Sequence, residues 1–183
     1  MRCTRSRTCA CFFLLARLSF RLGDRGRYHA QNSHTVFDIA IPNKCYVYFG
    51  LRGDFVPEEL TQRIGITPTE SCLQGARIPK RGIPKTSIWN ISTDKVVAEF
   101  VDVYELADQI IDQIGGKADE FRQVIEELGL YAVLEVVIHF STDDNVSTPA
   151  IGFSSRVLNF LSDVGATIDI DTYILPSDDV ESA

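Results

Sequence analysis

The sequence predicts an α+β fold, in which one mostly antiparallel sheet carries its helices on one face. Two patterns lead to this prediction. Residues 165–175 alternate between apolar and polar side chains, with the period of a strand whose two faces differ. Residues 102–114 and 118–128 place apolar side chains at helical spacing and are followed by glycine, so these helices can cover the apolar side of a sheet.

The strands are predicted from alternation and from short apolar runs. In the last strand, the side chains predicted to face the core are Ile168, Ile170, Thr172 and Ile174. Those predicted to face outward are Asp169, Asp171 and Tyr173. Residues 130–140 are apolar at nearly every position, which is typical of a central strand. Further strands are predicted at 44–51 and 87–93, and a short edge strand at 149–153.

Capping residues set the predicted limits of the other two helices. The first begins at Pro57, since proline suits the first turn of a helix, and ends at Gly65. The last follows Ser154, a favourable N-cap residue, and ends at Gly165. Proline and glycine recur through residues 66–86, so we expect a long irregular connection there.

A weak internal repeat suggests how these elements are arranged. Strand, turn, short helix, glycine and extended segment occur in that order around residues 44–92 and again around 130–175. The two helices at 102–128 lie between these units in the sequence. The order predicts a ferredoxin-like double βαβ arrangement with an inserted helical pair.

Charge divides the chain into a leader, a domain and a tail. Residues 1–36 hold seven Arg and one acid, a net charge of +6, whereas residues 37–183 have a net charge of −13. We predict a basic leader at 1–36, a single domain at 37–176 and an acidic tail at 177–183. The leader is expected to be disordered or absent from the native product; a targeting segment and a functional basic arm are the alternatives.

The same composition limits the partners and the compartment. The acidic domain argues against nucleic-acid binding and favours solubility or a basic partner. The apolar run at residues 10–16 is too short to span a bilayer, so no membrane interaction is expected. Cys45 and Cys72 have no CxxC neighbour, which gives little support to zinc or redox chemistry and favours a reducing cytoplasm. We expect no cofactor.

The candidate binding site is the polar side of the sheet. If the strands at 44–51, 130–140 and 165–175 are neighbours, an acidic and tyrosine-lined face is formed by Tyr46, Tyr48, Glu135, His139, Asp169, Asp171 and Tyr173. Such a face could bind a basic protein, because tyrosine supplies rigid contact area and carboxylates pair with Arg. The alternative is that these residues are the ordinary solvated side chains of a one-faced sheet.

Two sharper site hypotheses rest on fewer residues. His139 with Asp169 or Asp171 would supply one imidazole and one or two carboxylates, a known ligand set for iron or manganese, but the spacing does not fix His139 beside them, so no metal site is predicted. The 66–86 connection contains four bases that could hold an anion: Arg77, Lys80, Arg81 and Lys85. It lacks the spacing of a P-loop, and most basic loops are simply solvated.

Several short motifs, taken in order, resemble a known family. They are Tyr46-Val47-Tyr48-Phe49, Phe55 to Leu60, Ile64 to Pro68, Gly75, Trp89 and Gly165 to Tyr173. Their order over residues 44–175 is similar to that of the bacterial family called domain of unknown function 4279. Such proteins tend to have Asp before the Pro-Glu-Glu turn, where this chain has Val56, so the cap of that helix is left open. The resemblance implies a small bacterial cytoplasmic protein and supplies no established activity.

The sequence favours a non-catalytic role, because no nucleophile or acid-base pair has supporting spacing. We predict no catalytic residues and a protein-binding module that neutralises a basic partner, as an immunity protein does. The alternative is a sensor of small ligands or anions that uses the 66–86 connection. The sequence does not predict an oligomeric state.

Overall fold

The computed structural model describes residues 41–77 and 82–175, and six strands in this part of the chain form one sheet. The predicted leader at 1–36 and acidic tail at 177–183 lie outside the described residues, as do Lys80 and Arg81 of the predicted anion site.

The strands are β1 (Asn43–Gly53), β2 (Glu70–Cys72), β3 (Ser87–Ser92), β4 (Val96–Ala98), β5 (Tyr131–Phe140) and β6 (Thr167–Ile174). The helices of the described residues are α1 (Pro57–Ile64), α2 (Val103–Ile114), α3 (Ala118–Leu128) and α4 (Ser155–Val164), with a 3-10 turn at Gly115–Lys117. The predicted cap residues act as expected at two helix ends. Gly65 adopts a left-handed conformation with φ of 77°, and the Ser154 side chain accepts the Val157 N–H. Val56 gives α1 no side-chain cap.

The sheet has the strand order β2-β3-β1-β5-β6, and β4 pairs with the start of β1. Every neighbouring pair is antiparallel except β5 and β6, which are parallel. The predicted α+β class with a mostly antiparallel sheet is therefore confirmed.

The connections differ from the predicted arrangement in one respect. Helices α2 and α3 were expected to be an insertion between two strand–helix–strand units. They instead lead from β4 to β5, two strands that pair with opposite sides of the start of β1. Helix α1 likewise connects β1 to β2, with β3 between them, so the two connections interleave. A repeat in sequence did not reveal this, because sequence order does not determine which strands become neighbours.

All four helices pack on the same side of the sheet. Each contributes buried residues to one apolar cluster with alternate residues of β1 and β5, among them Val47, Phe49, Leu134 and Val136. The predicted division of faces in β1 and β5 is therefore correct. The opposite side of the sheet, called the open face below, carries no helix among the described residues.

The prediction of a strand at 149–153 is wrong. Ala150 makes a single bridge to Asp102, and its N–H donates to the Val101 carbonyl, but the segment does not continue as a strand. Pro149 lacks the N–H that a longer ladder would need. Conversely, β2 lies inside the connection predicted to be irregular, and β4 was not predicted. Strands of three residues are too short to show alternation.

Candidate functional site

The seven residues of the predicted binding face lie together on the open face. Strand register places Tyr48 opposite Glu135 and Glu135 opposite Asp169, so these side chains form one row across three strands. The next two rows are Tyr46–Val137–Asp171 and Lys44–His139–Tyr173. The structure thus brings the predicted residues into a single patch, although sequence alone could not establish that their strands were neighbours.

Tyr48 and Glu135 contact each other directly in the patch. The Tyr48 hydroxyl donates a hydrogen bond to Glu135 Oε2, and its ring stacks on that of Tyr46, with centroids 6.3 Å apart. Burial raises the pKa of Tyr48, and the hydrogen bond to Glu135 and the charge of that carboxylate raise it further. Tyr48 therefore stays protonated at neutral pH and remains a donor to Glu135.

His139 lies at a corner of the patch that is basic. Its ring stacks on that of Tyr173, with centroids 4.9 Å apart, and its Nδ1 is buried without a hydrogen-bond partner in the described part of the chain. Burial lowers the pKa of His139, and the positive charges of Lys95 and Lys44 lower it further. The predicted face is therefore not uniformly acidic, since Lys44 and Lys95 both act on His139 and alternation along β1 could have indicated only Lys44.

The acidic part of the open face is a strip formed by Glu135, Asp169 and Asp171, called the acidic strip below. Asp169 Oδ1 accepts the backbone N–H of Ile170 at 2.9 Å, and the Tyr173 hydroxyl approaches Asp171 Oδ2 at 3.4 Å. The strip lies along the β5–β6 side of the sheet and not at its centre. Its carboxylates are available to basic groups that approach from this side.

Two apolar residues of the open face are more buried than alternation predicted. Val133 is 3% exposed and Val137 is 5% exposed, although both point away from the helices. Val137 lies between Tyr46 and Asp171 in its row. The acidic strip thus borders a sheltered apolar centre, a combination common at protein interfaces.

The hypothesis that His139 joins Asp169 or Asp171 at a metal finds no support in the register. Asp171 lies opposite Val137, and His139 lies opposite Tyr173. Within residues 41–77 and 82–175, no group of three or more His, Cys, Asp or Glu side chains is arranged to hold a metal ion.

A cleft of about 380 Å³ lies on the open face beside the acidic strip, and Arg52 and Asn90 are among its lining residues. It is lined by Tyr46, Tyr48, Arg52, Glu70, Ile88, Asn90 and Ser92. Arg52 Nη1 donates to Asn90 Oδ1 at 2.6 Å and to the Leu51 carbonyl at 3.0 Å, and its guanidinium lies 5.8 Å from the centre of the Tyr48 ring. Asn90 Nδ2 in turn donates to Glu70 at 3.3 Å. We call this the Arg52 cleft.

Sequence reasoning missed the residues of this cleft. Arg52 is in phase with Tyr46 and Tyr48 on β1, so alternation could have placed it on the same face. Glu70 could not have been found, because it belongs to the short strand β2 inside the connection predicted to be irregular.

Of the predicted anion site the structure describes only Arg77 and Lys85, and neither of them lines the Arg52 cleft. Arg77 and Lys85 are both exposed and line no described cleft. The Lys85 carbonyl accepts a hydrogen bond from the Gln74 side chain at 2.9 Å, and the Gly75 N–H donates to the Pro84 carbonyl. These bonds join the two arms of the connection, and they involve the backbone rather than the basic groups.

Another cleft, of about 630 Å³, is on the helical side between the α2–α3 junction and α4. Its charged residues include Arg156 and Asp112, which pair with each other. This cleft is a surface groove between helices. We favour the open face as the candidate site, because charged, aromatic and sheltered apolar groups converge there.

Within residues 41–77 and 82–175, the fold and this face define an α+β unit in which the helices cover one side of the sheet and leave the other uncovered. The chain belongs to the family named Domain of unknown function (DUF4279), whose model matches residues 43–175. The resemblance found in its sequence motifs is therefore confirmed. No curated protein and no solved structure matches the chain. Within the described residues, no helix combines the length and the apolar character that crossing a membrane would require.

Proposed function

We propose that this protein is a non-catalytic binding module whose open face docks a basic protein and neutralises it, as an immunity protein does. The observation that supports this most is the acidic strip beside Tyr48, Tyr173 and the sheltered Val137. Carboxylates on such a strip steer and orient a basic partner, and the flanking rings supply contact area with few rotatable bonds. The net charge of −13 over residues 37–183 acts in the same direction over longer range.

The cellular setting belongs to the same proposal. Cys45 and Cys72 are free cysteines in the described residues, and burial raises the pKa of the Cys45 thiol to about 11, which makes it a poor nucleophile. Free thiols suit a reducing compartment. We propose a bacterial cytoplasm as the compartment, where the neutralised partner would also act or be made.

The test compares two double variants of equal net charge. Asp169→Asn with Asp171→Asn removes two carboxylates of the acidic strip, whereas Asp119→Asn with Asp163→Asn removes two exposed carboxylates from helices α3 and α4. Basic proteins that the wild-type protein captures are purified, and each is titrated against both double variants at low and moderate salt. We expect the strip variant to lose about tenfold in affinity or more, and the helix variant to change about twofold or less.

Two results would contradict the proposal. One is an equal loss of affinity in the two double variants, since only net charge would then matter. The other is the absence of any basic partner at either salt concentration. Tyr173→Ala adds a readout that does not change charge, and we expect it to weaken binding by about tenfold because a half-exposed aromatic ring at an interface edge is lost.

The Arg52 cleft supports a second candidate function, the sensing of a small anion. Arg52 has no carboxylate partner among the described residues, and its guanidinium lies over an aromatic ring, an arrangement that suits a planar carboxylate. Strand β2, part of the 66–86 connection, forms one wall through Glu70.

Benzoate and inorganic phosphate are suitable probes for this candidate. A ligand that binds only the folded state raises the melting temperature with concentration. We expect benzoate to do so for the wild-type protein and not for Arg52→Gln, with Arg122→Gln on α3 as the control. No rise with either probe would remove the support for this candidate.

A further inference from the structure

Strand β6 ends the sheet and leaves one backbone edge unpaired in the described residues. The N–H of Leu175, just after the strand, donates to the Phe140 carbonyl of β5 at 2.9 Å. Because successive backbone groups of a strand point to opposite sides, the even-numbered residues of β6 direct their N–H and C=O groups outward. Ile168, Ile170, Thr172 and Ile174 therefore direct these groups away from β5, towards the open edge of the sheet.

The side chains of these even-numbered residues are also incompletely covered. Register places Ile168 beside Leu134 and Ile170 beside Val136, on the side of the sheet that carries the helices. Leu134 and Val136 are fully buried, but Ile168 is 37% exposed, Ile170 is 38% exposed and Ile174 is 76% exposed.

The cause is the position of the last helix. Helix α4 packs chiefly against α2 and α3, so the helical layer does not extend over β6. The prediction that these isoleucines face a covered core is therefore wrong, although the face was assigned correctly. The strand combines an open backbone edge with an exposed apolar row, the combination to which an added strand binds.

A local contact protects the middle of this edge in the free protein. Asp169 Oδ1 accepts the outward N–H of Ile170 at 2.9 Å, so the most central amide is occupied by a neighbouring carboxylate. Charged side chains and local bonds of this kind hinder uncontrolled pairing at sheet edges. The bond is local and exposed, so an incoming carbonyl can replace it and release the carboxylate for another partner.

Charge favours a basic segment over a second copy of the chain paired centrally on β6. If two copies paired antiparallel about Ile170, Asp169 of one copy would lie opposite Asp171 of the other, and like charges directly opposite each other destabilise a strand pair. Strand β6 contains no basic residue that could compensate. A strand that carries Lys or Arg on the open-face side avoids this repulsion and pairs with both carboxylates.

We propose that β6 binds an extended segment of a basic partner in which apolar residues alternate with Lys or Arg. This inference rests on the proposed function and specifies its mode. The backbone of the segment pairs with the outward groups of β6, its apolar residues cover Ile168, Ile170 and Ile174, and its bases contact Asp169 and Asp171. Asp169 then exchanges the Ile170 N–H for a basic group.

The probe is a capped peptide of about ten residues with alternating Val and Lys, long enough to cover β6. The control peptide has the same composition with its Val and Lys residues in two blocks, which gives equal charge without alternation. We expect the alternating peptide to bind more tightly and to slow hydrogen exchange at the amides of Ile168, Ile170 and Thr172 by about tenfold or more. The block peptide should leave these amides unprotected.

Two variants test the edge separately from the open face. Ile170→Lys places a positive charge in the exposed apolar row, and Leu158→Lys adds the same charge at an exposed position on α4. Thr172→Pro removes one outward N–H, which edge strands tolerate. We expect Ile170→Lys and Thr172→Pro to weaken the alternating peptide by about tenfold or more and Leu158→Lys by about twofold or less.

Three outcomes would overturn the edge proposal. Binding of the alternating peptide without protection of the β6 amides would place it on the open face alone. A natural basic partner that needs Asp169 and Asp171 but is indifferent to Ile170→Lys and Thr172→Pro would leave the proposed function standing and reject this mode. Self-association that protects the same amides without peptide would make a second copy the occupant.

Discussion

Two ionisable side chains of the open face are held uncharged at neutral pH. Burial and Glu135 raise the pKa of Tyr48, whereas burial and two lysines lower the pKa of His139. Protonation of His139 would put a charge beside Lys44 and leave the buried Nδ1–H without a hydrogen-bond partner among the described residues. The charges that a partner meets at neutral pH are therefore those of the carboxylates, Arg52 and the lysines.

The lowered pKa of His139 predicts how stability depends on pH. Since the folded state disfavours the charged ring, the unfolded chain binds more protons between the folded pKa and the ordinary value of about 6.5. The contribution of His139 is complete above about pH 6.5 and declines as the pH falls towards the folded pKa. We expect His139→Gln to lose stability less steeply than the wild type over this window, as measured by urea unfolding at several pH values.

His29 and His34 lie outside the described residues and are present in both proteins, so their effects cancel in this comparison. Parallel stability profiles for the wild type and His139→Gln would show that the environment of His139 does not disfavour its charged form.

At the scale of elements, the sequence predicts long and strongly periodic segments well. Strand β5 was expected at 130–140 and is found at Tyr131–Phe140, and α3 was placed at the same residues as observed. Period alone determines which side chains share a face, because side-chain direction follows from backbone geometry. For this reason the seven residues of the predicted binding face were found on one side of the sheet.

What the sequence could not predict depends on neighbours in space. Alternation assigns Ile168 and Ile170 to a face, but whether a helix covers that face depends on where α4 packs. Alternation also cannot reveal that Lys95 lies near His139, because they are distant in sequence and on different elements. The Arg52 cleft needs β2 beside β3, and three residues show no period.

Asn43 illustrates a contact between elements that no pattern predicts. Its side chain is buried at the start of β1, and it holds three backbone groups from distant segments. Nδ2 donates to the carbonyls of Glu99 at 3.0 Å and Ser147 at 2.8 Å, and Oδ1 accepts the Ser141 N–H at 2.9 Å. It therefore fixes the end of β5 and both connections near it.

We expect Asn43→Ala to lower the free energy of unfolding by about 3 kcal/mol, because each unpaired buried polar group costs about 1–3 kcal/mol and water reaches some of them. Chemical denaturation measures this difference. Asn159→Ala, at an exposed position on α4, is the control and should change stability by about 0.5 kcal/mol or less. Equal effects of the two variants would show that the bonds of Asn43 contribute nothing specific.

At the scale of the whole molecule, the core is organised around Phe121 of α3. Its ring meets those of Phe49 at 5.3 Å, Trp89 at 5.8 Å and Phe160 at 6.1 Å, each at a steep angle. These three residues belong to β1, β3 and α4, so one side chain links the sheet to two helices. Edge-to-face pairs of this kind add to the free energy of apolar burial.

Because these contacts join the first and last parts of the domain, we expect the folded region to unfold as one cooperative unit. Phe121→Ala should lower its free energy of unfolding by about 3–5 kcal/mol, a large fraction of the 5–15 kcal/mol typical of whole domains. Phe100→Ala, at a position 57% exposed, is the control and should change it by about 0.5 kcal/mol or less. Urea unfolding followed by both Trp89 fluorescence and circular dichroism measures both variants.

If Phe121→Ala is too unstable to purify, Phe121→Leu should show a smaller loss in the same direction. Separate transitions by the two probes in the wild type would contradict a single core, and equal midpoints for the Phe121 and Phe100 variants would contradict the central role of Phe121.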